Sequence, residues 1–133
     1  AGLGAFVRPG KGAFIGRDAI VAARDAAAAG AGRRRLSTIL IGGEDGGWLP
    51  VYGGEAVRHE GVVIGRLRSV AYGPALSRTI GYVYRGADLA GLAEGARLTV
   101  DVFDEQVPAF LAPDVLWDPD GERLRGGPWP GVP

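Results

Sequence analysis

The sequence predicts a mostly β chain: a small antiparallel six-stranded Greek-key barrel preceded by one N-terminal helix. Three observations predict it. Short apolar segments with period-two alternation recur from about position 33 to 111, with turn residues spaced as in small all-β domains. Two pairs of these segments stand two residues apart, the spacing of a tight hairpin. The chain has 133 residues, 47% of them hydrophobic, enough for one core without cross-links. Turn spacing alone fits a small barrel or a sandwich.

The elements follow in order. Residues 1–17 are glycine-punctuated and carry Phe6, Val7, Phe14 and Ile15; they read as an extended lead-in docked by its apolar pairs. Asp18–Ala29 is alanine-rich with Gly30 as a C-terminal stop, a helix by propensity and capping. Its stripe of Ile20, Ala23 and Ala27 is thin, so the helix is expected to lie against a sheet. Arg33–Ile41 reads as a strand and 42–47 as a tight loop. Glu55–His59 and Val62–Ala71 flank Glu60-Gly61 as a hairpin, Gly73-Pro74 breaks the run, and Arg78–Arg85 resumes it. There Ile80, Tyr82 and Tyr84 share a face opposite Thr79, Gly81 and Val83. Ala87–Ala93 reads as a helical turn over a barrel end. Arg97–Phe103, with Leu98, Val100 and Val102 on one face, forms a second hairpin with Gln106–Leu111 across Asp104-Glu105. Pro108 cannot donate to a ladder, which predicts an edge or a bulge there. The organisation expected is a lead-in with helix over 1–32, a barrel over 33–119 and a Gly/Pro-rich tail over 120–133.

Composition narrows the function classes. Fifteen basic residues balance fifteen acidic ones, so no basic footprint calls for nucleic acid or an anionic membrane. No apolar stretch reaches the length of a membrane span. The chain has no cysteine, hence no disulfide, thiolate metal site or cysteine nucleophile, in keeping with a cytoplasmic location. It has no methionine either, so Ala1 is expected to arise by cutting. Lys11 stands against fourteen arginines, a bias that reads as codon usage.

The catalytic inventory is short. His59 is the one histidine; at a strand end between Arg58 and Glu60 it reads as solvated, and with Ser37, Ser69 and Ser77 it builds no triad. Asp101, Asp104 and Glu105 crowd one hairpin without enough ligands for calcium. The run Arg33-Arg34-Arg35 reads as a solvated strand start, with phosphate or carboxylate binding as the alternative.

A series of short motifs points further. Lys11–Ala19 (KGAFIGRDA), Pro50–Val57 (PVYGGEAV), Gly61–Gly65 (GVVIG), Arg68–Leu76 (RSVAYGPAL), Ile80–Val83 (IGYV), Glu94–Leu98 (EGARL) and the ending Leu111–Pro119 stand in order over about residues 3–119. This series resembles the C-terminal part of the glycine-cleavage T-protein (aminomethyltransferase) family. The Tyr-Gly-Gly-Glu-Ala-Val form and the Trp117-Asp118-Pro119 ending before Arg123-Leu124-Arg125 look most like the subgroup fused behind flavin dimethylglycine and sarcosine oxidases and dehydrogenases. Two departures stand out. Arg68-Ser69-Val70 replaces the family's Thr-Ser-Gly, and Trp48-Leu49-Pro50 replaces a segment where arginine is common.

The resemblance implies an accessory barrel, catalytically inert alone, that closes one wall of a tetrahydrofolate channel. It packs on preceding folate-binding domains of the same chain or of a partner subunit. The parent would be a folate-dependent aminomethyltransferase or a flavin-linked methylamine oxidoreductase, with FAD held in a preceding domain. No catalytic residue and no metal ligand carries over. Arg68, Ser69, Tyr72 and Trp117 are the candidate folate-wall residues. Two other readings compete: a free-standing barrel that binds a protein or small ligand, and an enzyme built on His59.

Overall fold

A computed structural model describes residues 2–29, 34–43, 46–86 and 91–128. Six strands follow one helix: α1 (Arg17–Ala28), β1 (Arg35–Ile41), β2 (Ala56–His59), β3 (Val62–Gly73), β4 (Arg78–Arg85), β5 (Arg97–Val102) and β6 (Glu105–Ala112). They close into an antiparallel barrel in the order β1-β4-β3-β2-β5-β6, with β6 pairing back onto β1. The meander β2-β3-β4 carries β1 beside β4 after a long connection, which is a Greek key. Closure leaves no free edge for another chain to extend.

Alternation explains which side chains fill the barrel. Ile39 and Ile41 of β1, Val57 of β2, Leu67 of β3, Val83 of β4, Leu98, Val100 and Val102 of β5, and Ala109 and Leu111 of β6 form one buried cluster. Each large aliphatic side chain buried this way contributes roughly 1.5–3 kcal/mol. In β4 the inward set is Thr79, Gly81 and Val83, while Tyr82 faces out.

Local chemistry sets the turns. Glu60 and Gly61 both have positive φ, 49° and 80°, as the two central residues of a type I′ hairpin require. A register shift at Leu67/Ser69 marks a bulge in β3, which bends the strand from one neighbour towards the next. The second hairpin closes on the pair Val102 and Glu105, so its turn residues are Phe103-Asp104, one position earlier than expected. Pro108 pairs with Thr99, and its carbonyl accepts from Gly42 N at 2.8 Å. The β1 ladder begins only at Ala109, so the missing proline N–H falls just outside it; β6 is paired on both sides without a register shift, so the expected edge or bulge is not found.

The N-terminal region departs from expectation. Instead of an extended docked segment, residues 3–6 and 9–11 form 3-10 turns, with Phe6 84% and Ile15 fully exposed. The helix runs one residue earlier and buries none of its side chains. Its stripe is too thin to seat on the barrel; Arg24 instead donates to the Gly4 and Val7 carbonyls at 3.0 and 3.2 Å. Arg33, the helix stop at Gly30 and most of the expected turn at 87–93 lie outside the described residues, and 91–93 form no helix. No described helix is long and apolar enough to cross a membrane.

Candidate functional site

The antiparallel order gives the barrel two chemically distinct ends. At one lie the ends of β1, β3 and β5 and the starts of β2, β4 and β6. The loops there carry Trp48, Tyr52 and Phe103, which are 68%, 82% and 78% exposed, and Tyr72 closes β3 beside them at 38%. At the opposite end lie Arg35, Glu60, Arg85, Arg97 and Asp114. The first rim carries these rings beside Arg78, Asp104 and Glu105, and the second carries mainly charged side chains.

Thr79 holds the aromatic rim in place. It is 1% exposed, accepts from Leu49 N at 3.1 Å and donates to the Gly47 carbonyl at 2.9 Å. Gly47 N reaches the Ser77 carbonyl at 2.9 Å. A Cβ at Gly46 would stand 2.5 Å from that same carbonyl oxygen, and its φ is +65°, so only glycine fits. Leu49 and Val51 then pack on the core, and alternation turns Trp48 and Tyr52 outward.

The Tyr-Gly-Gly-Glu run has a direct physical role here. Glu55 accepts from Tyr52 N at 2.9 Å and from Gly53 N at 2.8 Å. One carboxylate thus satisfies two loop donors, a charge-assisted clamp that fixes the backbone carrying Tyr52. Next to the Gly46-Gly47 loop, Pro74–Leu76 forms a 3-10 turn between β3 and β4.

The charged rim is built around Arg85. Only 5% exposed, it donates through Nε to Ser37 Oγ at 2.8 Å. Burial lowers its pKa first and the neighbouring Arg35 charge second, while Asp114 opposes them. Arg35 pairs with Asp114 at 3.0 Å. His59 also lies on this side, its Nδ1 3.0 Å from the Arg97 carbonyl. A carbonyl only accepts, so Nδ1 carries the proton in that contact. The Arg97 carbonyl thus orients the ring, and among the described residues no carboxylate forms a salt bridge with His59.

The four candidate residues do not form one cluster. Tyr72 lies at the aromatic end. Trp117 borders a cleft with Leu76 from the turn at that end, but the Arg123 guanidinium covers its ring at 3.7 Å. Ser69 faces outward in register with Tyr82. Arg68 lies further along β3, its guanidinium 6.0 Å above the Tyr84 ring, in a separate cleft with Arg34, His59 and Arg66. Sequence reasoning did not single out Trp48, Tyr52 or Phe103 as site residues. The available signal was positional: each follows or precedes a strand whose end falls on the same rim.

The chemistry of the aromatic rim is recognition. Exposed rings offer flat faces for stacking on a planar ligand or for packing on another domain. The family model of the glycine cleavage T-protein C-terminal barrel domain matches residues 34–118, which takes in all six strands and the approach to Trp117. In that family the barrel is an accessory domain of aminomethyltransferase-like enzymes, which use tetrahydrofolate. With most of its length and its whole barrel inside the match, the chain belongs to the glycine cleavage T-protein C-terminal barrel domain family.

Proposed function

We propose that this barrel closes one wall of a tetrahydrofolate channel in a one-carbon-transfer enzyme, with its aromatic end turned towards the folate-binding portion. The observation that carries the reading is the segregation of Trp48, Tyr52, Tyr72 and Phe103 onto one rim. Four exposed rings brought to one rim support its use as an interaction surface. Tetrahydrofolate supplies the acceptor nitrogen for the one-carbon unit. The fit to this chain is a stacking fit: Trp48, Tyr52 and Tyr72 have accessible ring surface, and Glu55, tied to the loop amides, stays a structural carboxylate.

The partner in this reading is a folate-binding portion of the same chain or of another subunit, not a nucleic acid or a membrane. The cytoplasm is the compartment we assign. The subgroup linked to flavin-dependent dimethylglycine and sarcosine oxidation is favoured, with FAD in a preceding domain. Two features support it: the Tyr52–Glu55 clamp and the Trp117–Arg123 stack give physical roles to the residues of that resemblance.

Titrating tetrahydrofolate tests the proposal. The chain alone should bind it at least tenfold more weakly than a mixture with the folate-binding portion of an aminomethyltransferase, and Trp48 fluorescence should respond only in the mixture. Equal affinity with and without that portion would overturn the reading in favour of a free-standing binding module.

A further inference from the structure

A cleft lies along the outer side of the β2–β3 hairpin, and Arg66 on its wall reaches the Gly54 carbonyl of the loop that carries Tyr52. The cleft encloses about 710 Å³, within the range of small-molecule sites. Its cations are Arg34, Arg66, Arg68 and, when protonated, His59; its one carboxylate is Glu60. In a chain whose formal net charge is zero, this is a local excess of positive charge.

Arg66 and Arg68 carry the argument. They flank the inward-facing Leu67 on β3, Arg68 being the extra residue of the bulge between Leu67 and Ser69, and both line the cleft. Like charges so placed repel, which makes the pair unfavourable unless something neutralises it. Among the described residues no carboxylate pairs with either one. Arg66 spends one nitrogen on the Gly54 carbonyl at 2.9 Å, which fixes the guanidinium. Arg68 rests over Tyr84. Val63 and Ile64 supply apolar wall beside them.

We propose that this cleft binds a small oxyanion of two or more negative charges, a dicarboxylate or a phosphate compound, through the guanidinium groups of Arg66 and Arg68. Guanidinium forks match carboxylate and phosphate oxygens two by two. Two forks on one cleft wall suit an anion with two charged groups. The inference does not rest on the folate-wall reading, although Arg68 is one of that wall's candidate residues; the anion probes contain no folate.

The test is a ¹H–¹⁵N NMR titration of the whole chain with sodium pyrophosphate, and separately with sodium glutarate. Sodium chloride at matched ionic strength is the reference. Saturable shifts at Ile64, Gly65 and Tyr84 with either probe support the site, and the stronger probe identifies the phosphate or carboxylate source. In the double variant R66Q/R68Q the affinity should fall about tenfold or more, whereas Arg8→Gln, outside the cleft lining, should leave it unchanged. A melting temperature for each variant separates lost binding from lost fold. Three results would overturn the proposal: shifts that sodium chloride reproduces, undiminished binding by folded R66Q/R68Q, or binding of polyglutamate when neither small anion binds.

Discussion

Alanine at position 65 would place a methyl carbon 2.6 Å from the Tyr84 carbonyl oxygen and 2.8 Å from Val83 Cγ2. Even close carbon–oxygen contacts in sheets are roughly 3.3 Å, so β3 and β4 must part by roughly 0.7 Å. The obstructing atom is backbone, so no side-chain rotation relieves it. Overpacking of this kind costs about 1–3 kcal/mol. Against it stands the roughly 0.5–1 kcal/mol by which alanine ordinarily improves on glycine in a strand. The net loss is about 0–2.5 kcal/mol, roughly 1.2 kcal/mol at mid-range. At mid-range that lowers the melting temperature of a chain of this size by roughly 4–7 °C. Thermal unfolding followed by far-UV circular dichroism measures it, with Gly91→Ala as reference because nothing lies within 4 Å of a Cβ there. A G65A protein that melts no lower than G91A would refute the close approach of the two strands.

Three further perturbations probe other links. Ile39→Ala, at a site with no exposed surface, should cost about 2–5 kcal/mol in denaturant unfolding. Thr79→Val removes the hydroxyl that holds Leu49 N and the Gly47 carbonyl; it should cost about 1–3 kcal/mol and speed hydrogen exchange at the Leu49 amide. Arg58 donates to both Asp101 carboxylate oxygens at 3.0 Å, with each side chain 29% exposed. A double-mutant cycle with alanine at both sites should give a coupling of about 1 kcal/mol or less that shrinks in salt.

Much of the barrel was legible in the sequence because its signals are local. Alternation in Leu98, Val100 and Val102 placed β5 correctly, and Glu60-Gly61 announced its own turn. The β5–β6 turn shifted because two candidate pairs, Phe103-Asp104 and Asp104-Glu105, read alike locally. Register decided it, since Val102 meets Glu105 across the ladder. The helix was legible and its seat was not. Periodicity shows a stripe, but whether Ile20 and Ala27 bury depends on surface elsewhere that sequence spacing cannot weigh.

The candidate site was harder to see for the same reason. Tyr72 and Arg68 are four positions apart on one strand, yet Tyr72 belongs to the rim and Arg68 to the cationic cleft. Trp48, Tyr52 and Phe103 are far apart in sequence and share a rim only because the strands alternate in direction. The Tyr-Gly-Gly-Glu run was visible as a motif. Its cause, one carboxylate holding two amides, needed coordinates.

The central claim is that the aromatic rim serves a folate-dependent one-carbon transfer that this barrel cannot perform alone. The most direct measurement is methylene-tetrahydrofolate production by a folate-binding aminomethyltransferase portion lacking its own C-terminal barrel, with this chain added in trans. The account predicts no production by the chain alone and restored production by the mixture. With Trp48, Tyr52 and Phe103 all changed to alanine, the restored rate should fall at least tenfold. Production by the chain alone, or equal restoration by the triple alanine variant, would contradict the account.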